Sequence, residues 1–230
     1  MTAEQETQGP AVLGKKPGLN LPPNYRETEV KEIIEWLVHG ESGTVVGLPG
    51  VGRSTLLTFL CERPEVLNTY LPDEQKPVML VPIDLNNLPN SRLDTLYRAI
   101  LRSFFEHRFR FDPKYHELID NLYRKHEAAR DPFLPQSGLR ELLRHFQVNE
   151  QQTVLVLNRF DRFCQQATPR MTRTLRGLRD SFKNSLSYIV GMPQEIVYLS
   201  HLPSVEPLRG ILDSHVCQVK PLTAADAEHM

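Results

Sequence analysis

Gly43-Thr44-Val45-Val46-Gly47-Leu48-Pro49-Gly50-Val51-Gly52-Arg53-Ser54-Thr55 decides the fold of this 230-residue chain. A β-branched apolar run enters a glycine loop, and Leu56-Leu57-Thr58-Phe59-Leu60 leaves it as a helix. The spacing of Gly47, Gly52, Arg53 and Ser54 matches the phosphate-binding loop G-x-x-x-x-G-K-[ST], with Arg53 where the motif has lysine. Glycines let main-chain N–H groups converge on phosphate oxygens, and the N-terminus of the next helix favours anions. A long cation at position 53 reaches terminal phosphates, and the Ser54 hydroxyl is a ligand type that suits Mg²⁺. The candidate phosphate-binding residues are therefore Gly47, Pro49, Gly50, Val51, Gly52, Arg53, Ser54 and Thr55. The competing reading is a strand–turn–helix whose glycines only make the turn.

Upstream, residues 1–23 are polar and rich in Pro and Gly, and are expected to form a disordered arm. Asn24 and Glu27 make a capping-box pattern ahead of Val30, Ile33, Ile34 and Leu37, which recur at helical spacing until Gly40. Downstream, Pro77–Leu85 reads as a second strand, and Pro82 inside it predicts a sheet edge, because proline has no N–H to give a central ladder. Three amphipathic helices follow, marked by Leu93–Phe105, Tyr115–Tyr123 and Leu139–Phe146. Thr153–Leu157 is a buried strand, Met171–Phe182 a helix, and Leu186–Val190 and Val216–Val219 two more strands. Pro221-Leu222-Thr223 opens a further helix that stops at Met230. Alternating strands and helices call for a parallel sheet covered on both faces. The expected organisation is one domain over residues 24–230, cut before a helical lid of a longer protein.

Net charge is −1 and charged residues make up 24% of the chain, so no global basic field points to nucleic acid. Cys61, Cys164 and Cys217 are scattered and odd in number, which fits a reducing compartment rather than a disulfide framework or zinc site. Apolar stretches are strand-length and the N-terminus has no signal pattern, so the expected location is cytoplasmic, with no membrane partner.

A nucleotide site of this kind needs a second strand that delivers a carboxylate to the Mg²⁺ water shell. Val154-Leu155-Val156-Leu157-Asn158-Arg159-Phe160-Asp161 is the candidate, with its polar residues at the C-terminal end, where open α/β sheets bind ligands. Asn158 and Asp161 are the candidate catalytic positions, and Ser54 and Asn158 the candidate Mg²⁺ positions, the latter through water. Period-2 geometry puts Asp161 on the face of Arg159 and away from that of Asn158. It serves either as a stand-in acid or as an ion-pair or cap residue. Asp84, at the end of the second strand, reads as a turn or cap residue.

With these residues in view, the chain resembles the STAND and origin-recognition-like branch of AAA+ P-loop ATPases. Asn24-Tyr25-Arg26-Glu27-Thr28-Glu29 resembles the family's G-R-E-x-E entry, and the loop at 47–55 its Walker A motif. Asn158-Arg159-Phe160-Asp161 resembles the D-E-F-D that ends its Walker B strand. Leu175-Arg176-Gly177-Leu178 resembles the stretch before its sensor strand, here Leu186–Gly191. The resemblance implies a three-layer αβα P-loop NTPase with five parallel strands in the order 5-1-4-3-2. It further implies ATP or ADP with Mg²⁺ as cofactors, and an adenine cradle at Tyr25 and Arg26, residues that equally suit a packing role. Implied partners are the C-terminal domains of its own longer chain and a nucleotide-dependent homo-oligomer.

The departures from that pattern bear on mechanism. Asn158 brings no charge to a metal shell, and Arg159 cannot act as a base. Arg53 is planar and bulkier than lysine. The sensor strand ends Val190-Gly191-Met192 without a polar side chain. The expectation is a nucleotide switch with weak or absent hydrolysis. Two alternatives stand beside it: a nucleotide-free pseudo-ATPase scaffold, supported by Asn158 and Arg159, and an origin-recognition-like DNA-binding ATPase. The second draws on the basic residues Arg170, Arg173, Arg176, Arg179 and Lys183, which read equally as a solvated face. Arg209 is either a surface residue or one that reaches a neighbouring subunit's nucleotide.

Overall fold

The computed structural model describes residues 21–222. Five parallel strands carry the fold: β1 (Gly43–Val46), β2 (Val78–Ile83), β3 (Gln152–Asn158), β4 (Leu186–Met192) and β5 (Val216–Gln218). Their order is β2-β3-β4-β1-β5, the expected order read from the other edge. The helices are α1 (Glu27–Val38), α2 (Arg53–Glu62), α3 (Pro64–Tyr70), α4 (Leu93–His107), α5 (His116–His126), α6 (Phe133–Val148), α7 (Phe160–Gln166), α8 (Pro169–Ser181) and α9 (Glu206–Leu212).

The strands are apolar on both faces, and alternate side chains feed different cores. Val154 and Val156 of β3 join a cluster with Val30, Ile33, Leu56, Phe59 and Leu60 from α1 and α2. Leu155 and Leu157 join the opposite cluster with Leu96, Ile100, Phe104, Leu142 and Phe146 from α4 and α6. One sheet between two helical layers is the result. β2 forms an edge. Its partner's Gln152 N–H donates to Pro77 O at 2.9 Å. In a parallel ladder successive residues alternate sides, so Met79, Val81 and Ile83 face β3 while Pro82 turns its missing N–H to the free edge.

Three local expectations need correction. Residues 21–23 are not part of a loose arm: Leu21 is buried, its carbonyl accepts from Arg63 Nη1 at 2.8 Å, and Tyr25 N–H closes a turn on Pro22 O. Residues 1–20 of that arm, and the helix expected from Thr223, lie outside the described residues. Asn24 does not cap α1. The residue before the helix is Arg26, at φ 51°, and no side chain caps that terminus. Asp161 does not continue β3: Arg159, at φ 54°, turns the chain and Phe160 starts α7, so alternation along a strand does not apply to it.

Candidate functional site

The loop between β1 and α2 lies where β1, β3 and β4 end. Gly47 N–H donates to Met192 O at 3.1 Å, fixing the start of the loop to the end of β4. Val51 N–H donates to Leu48 O at 3.2 Å and closes the turn. Gly50 and Gly52 have φ of 88° and 95°, which side-chain-bearing residues rarely adopt. Leu48, Pro49 and Gly50 are exposed at the loop tip, and Val51 to Thr55 are half-buried on the way into α2. The first N–H groups of α2 have no side-chain cap, which leaves this terminus suited to an anion.

Arg53 folds back over the loop. Its Nη1 donates to Gly47 O at 2.9 Å, while Nε is buried without a partner. Burial lowers its pKa, opposed by Asp161 and reinforced by Arg159. Guanidinium nonetheless stays protonated throughout the working pH range. Across the site, Asn158 Oδ1 accepts from Arg159 N–H at 2.9 Å, and the Asn158 carbonyl accepts from Asn86 Nδ2 at 3.1 Å. Gly191 is the third corner. A Cβ built on it would lie 2.6 Å from Leu57 Cδ1, 3.0 Å from Asn158 Oδ1 and 3.5 Å from Arg53 Nε. The structure thus brings Arg53, Asn158 and Gly191 together. Gly191 drew attention in the sequence only as a missing polar residue, and its function as a space for the Arg53 and Asn158 side chains was not legible there.

Arg26 is a second guanidinium at the loop. Its side chain is almost wholly buried. Nη2 donates to Val51 O at 2.5 Å, and Nη1 to Glu29 Oε1 and to Lys220 O, each at 2.9 Å. It therefore ties the entry to α1, the phosphate loop and the residues after β5 to one another. Tyr25 is fully buried. Its ring meets Phe59 edge-on at 5.3 Å and its hydroxyl accepts from Arg26 Nε at 3.2 Å. In this conformation the Tyr25 ring packs on Phe59 beside the Arg26 guanidinium.

Asp161 and Asp84 border this cluster, Asp161 acting electrostatically on Arg53 and Asn86 Nδ2 bridging Asp84 Oδ1 and the Asn158 carbonyl at 3.0 and 3.1 Å, while the remaining singled-out residues lie elsewhere. Asp161, half-buried, lies in the first turn of α7. Asp84 makes a turn, accepting from Asn86 N–H and Asn87 Nδ2, each at 2.9 Å. Arg209, on α9, faces Asp213 at 3.9 Å. On α8, Arg176 pairs with Asp180, whereas Arg170, Arg173 and Lys183 are exposed. A cavity of about 980 Å³ lies between α2 and α4 at the edge of β2, lined by Thr58, Pro82, Asn86, Arg98 and Arg159 among others. No residue from 47 to 55 lines it, so it neighbours the phosphate loop without being part of it. Among the described residues, no three His, Cys, Asp or Glu side chains converge as a metal site, and no helix is long and apolar enough to cross a membrane.

No family model matches the chain. Its fold is similar to that of origin-recognition and Cdc6 proteins. The Aeropyrum pernix ORC1 protein, solved in complex with DNA, aligns with a TM-score of 0.58 at 14% identity, over 94% of this chain and 50% of that one. The Drosophila origin recognition complex bound to DNA gives a TM-score of 0.58 at 13% identity, over 100% of this chain and 53% of that one. A Walker-type ATPase of Pyrococcus abyssi, PABY2304, gives 0.55 at 16% identity, over 89% and 56%. The chain spans about half the length of these structures. Among curated proteins, the tRNA modification GTPase MnmE of Cereibacter sphaeroides is 34% identical over 70 residues, which are 30% of this chain and 16% of that protein. The strand order and these neighbours together show the α/β P-loop NTPase fold.

Proposed function

We propose that this chain binds ATP or ADP through residues 47–55 and acts as the nucleotide switch of a larger STAND-like signalling or assembly protein, with weak or absent hydrolysis. One observation carries the reading: a glycine loop with two positive-φ glycines stands between a central strand and an uncapped helix N-terminus, under the half-buried Arg53. That arrangement suits an anion, since converging N–H groups and a helix N-terminus both favour negative charge. Weak hydrolysis follows from the strand end opposite, where the side chains of Asn158 and Arg159 supply neither a metal-shell charge nor a base. Arg26 supports the switch. It hydrogen-bonds both the phosphate loop and Lys220, so a ligand that reshapes the loop acts on the chain beyond β5.

The second reading, an origin-recognition-like DNA-binding ATPase, is favoured by neighbours solved with DNA and by exposed Arg170, Arg173 and Lys183 on α8. Differential scanning of the chain with ATP, ADP or GTP tests the main reading against a nucleotide-free scaffold. A ligand held at about one hundred times its Kd stabilises by about 2.7 kcal/mol, and the shift should vanish in Gly52→Asp, which puts a carboxylate among the phosphate-facing N–H groups. No shift with any nucleotide defeats it. A shift with GTP alone replaces the adenine assignment, and DNA-dependent stabilisation would favour the second reading.

A further inference from the structure

We infer that this site takes the nucleotide's phosphates without Mg²⁺, the Arg53 guanidinium supplying the positive charge that a metal ion would otherwise bring. The inference rests on the reading of residues 47–55 as a nucleotide site and adds its cofactor requirement. Three observations support it.

The donor set is wrong for a hard divalent cation. Mg²⁺ takes oxygen ligands and, in nucleotide sites, is held by carboxylate in addition to phosphate. Here Ser54 offers a hydroxyl, but the opposing strand ends in Asn158, a neutral amide whose oxygen already accepts the Arg159 N–H. Arg159 follows as an exposed cation. Among the described residues no three Asp, Glu, His or Cys side chains converge, and the two single carboxylates nearby are engaged, Asp161 with the charge of Arg53 and Asp84 in its turn with Asn86 and Asn87.

The volume on the β4 side of the loop is committed to arginine. Arg53 Nε and Asn158 Oδ1 both crowd the bare backbone of Gly191, within 3.5 Å and 3.0 Å of where a Cβ would stand. A side chain at residue 191 would collide with Leu57 and crowd Asn158, so the glycine and the arginine fit one another. Arg53 Nε is buried with no acceptor. A buried donor left unsatisfied is costly, and a turn of the side chain toward an anionic oxygen in the loop would relieve that cost.

Two guanidiniums already stand at the loop, Arg26 paired with Glu29 and Arg53 opposed by the half-buried Asp161 and joined by the exposed Arg159. Arg53 and Arg26 both hydrogen-bond carbonyls of the loop, at Gly47 and Val51. A guanidinium also matches phosphate geometry in a way that an ammonium does not, offering paired N–H donors. A divalent cation added beside it meets repulsion that a lysine-and-aspartate site would offset.

The test is a titration of the chain with N-methylanthraniloyl-ATP in excess Mg²⁺ and again in EDTA. The Kd is expected to change by less than about fivefold between the two. A larger weakening on chelation overturns the inference and leaves the nucleotide reading intact. No binding in either buffer overturns the nucleotide reading itself. Arg53→Gln should lose about tenfold or more in EDTA and regain affinity with Mg²⁺. If it binds like wild type in EDTA, Arg53 is not the charge that matters. Should that variant fail to fold, Asn158→Asp serves instead. It adds a carboxylate on the strand end, so its binding should become Mg²⁺-dependent, and metal-indifferent binding by Asn158→Asp would contradict the electrostatic argument.

Discussion

Replacing Gly52 by alanine should destabilise the ligand-free protein more than replacing Gly50, although both glycines occupy similar backbone conformations. Their φ values are 95° and 88°, so the intrinsic strain of an L-residue is nearly shared, roughly 1–2 kcal/mol at each position. The surroundings differ. A Cβ on Gly50 meets nothing within 4 Å, whereas one on Gly52 comes within 3.2 Å of Arg26 Nη2 and 3.5 Å of Tyr25 Oη. Nη2 is the atom that donates to Val51 O, and the buried guanidinium is held on other sides by Glu29 and Lys220, so it has little room to yield. A hydrogen bond from a charged group contributes about 1.5–3 kcal/mol net. Partial loss of this one gives Gly52→Ala an excess of about 1 kcal/mol or more over Gly50→Ala. Urea denaturation of both variants measures it, with unchanged slopes as the check that only stability moved. In an Arg26→Ala background the excess should disappear, which makes the comparison a double-mutant cycle. Equal costs for the two alanines, or an excess that survives without Arg26, would refute the contact between Arg26 and the loop.

Hydrolysis by the chain should fall well below the ordinary enzyme range, and a turnover of about 1 s⁻¹ or faster would show that another acid, Asp161 first, supplies the chemistry. Asn158→Asp with Arg159→Glu should raise the rate by more than the product of the single effects, read from ATPase rates across a Mg²⁺ titration, because a water-polarising carboxylate helps only when metal and phosphate are in place. Stability should fall as pH drops from about 7 to about 5, and His126 should carry part of that slope. Burial lowers its pKa, Lys125 adds to the effect and Glu141 opposes it. The unfolded chain therefore takes up a proton below about 6.5 that the folded one resists, so stability present above that pH is lost below it. Urea midpoints across this range should flatten in His126→Leu, and an unchanged slope would show that the ring titrates freely between α5 and α6.

How much of this was legible in the sequence depended on whether the signal was local. β3 was plain because Val154 to Leu157 are apolar at every position, as a strand covered on both faces requires. Pro82 marked the sheet edge because a missing N–H admits few other places. α3 was hidden because Pro64 is both the stop after α2, which ends at Glu62, and the first residue of α3, where proline's fixed φ fits. α7 was hidden because nothing in the composition announces the left-handed turn at Arg159, and Asp161 was consequently placed by strand alternation. The glycine spacing located the phosphate loop. It did not reveal that Arg26 reaches Val51 and Lys220, or that Gly191 makes room for Arg53, because those contacts join residues distant in sequence. The cavity beside β2 was equally invisible, being formed by helices that sequence patterns place but do not orient.

The central claim is that residues 47–55 hold the phosphates, and amide hydrogen exchange with and without ATP tests it most directly. Bound phosphate oxygens should accept hydrogen bonds from the loop and the first turn of α2, so amides of residues 50–55 should exchange more slowly in the complex. Weaker protection is expected at residues 25–29 and 219–221, which Arg26 links to the loop. Protection absent from 47–55, or confined to the cavity lining on α4 and β2, would contradict the account by placing the ligand elsewhere.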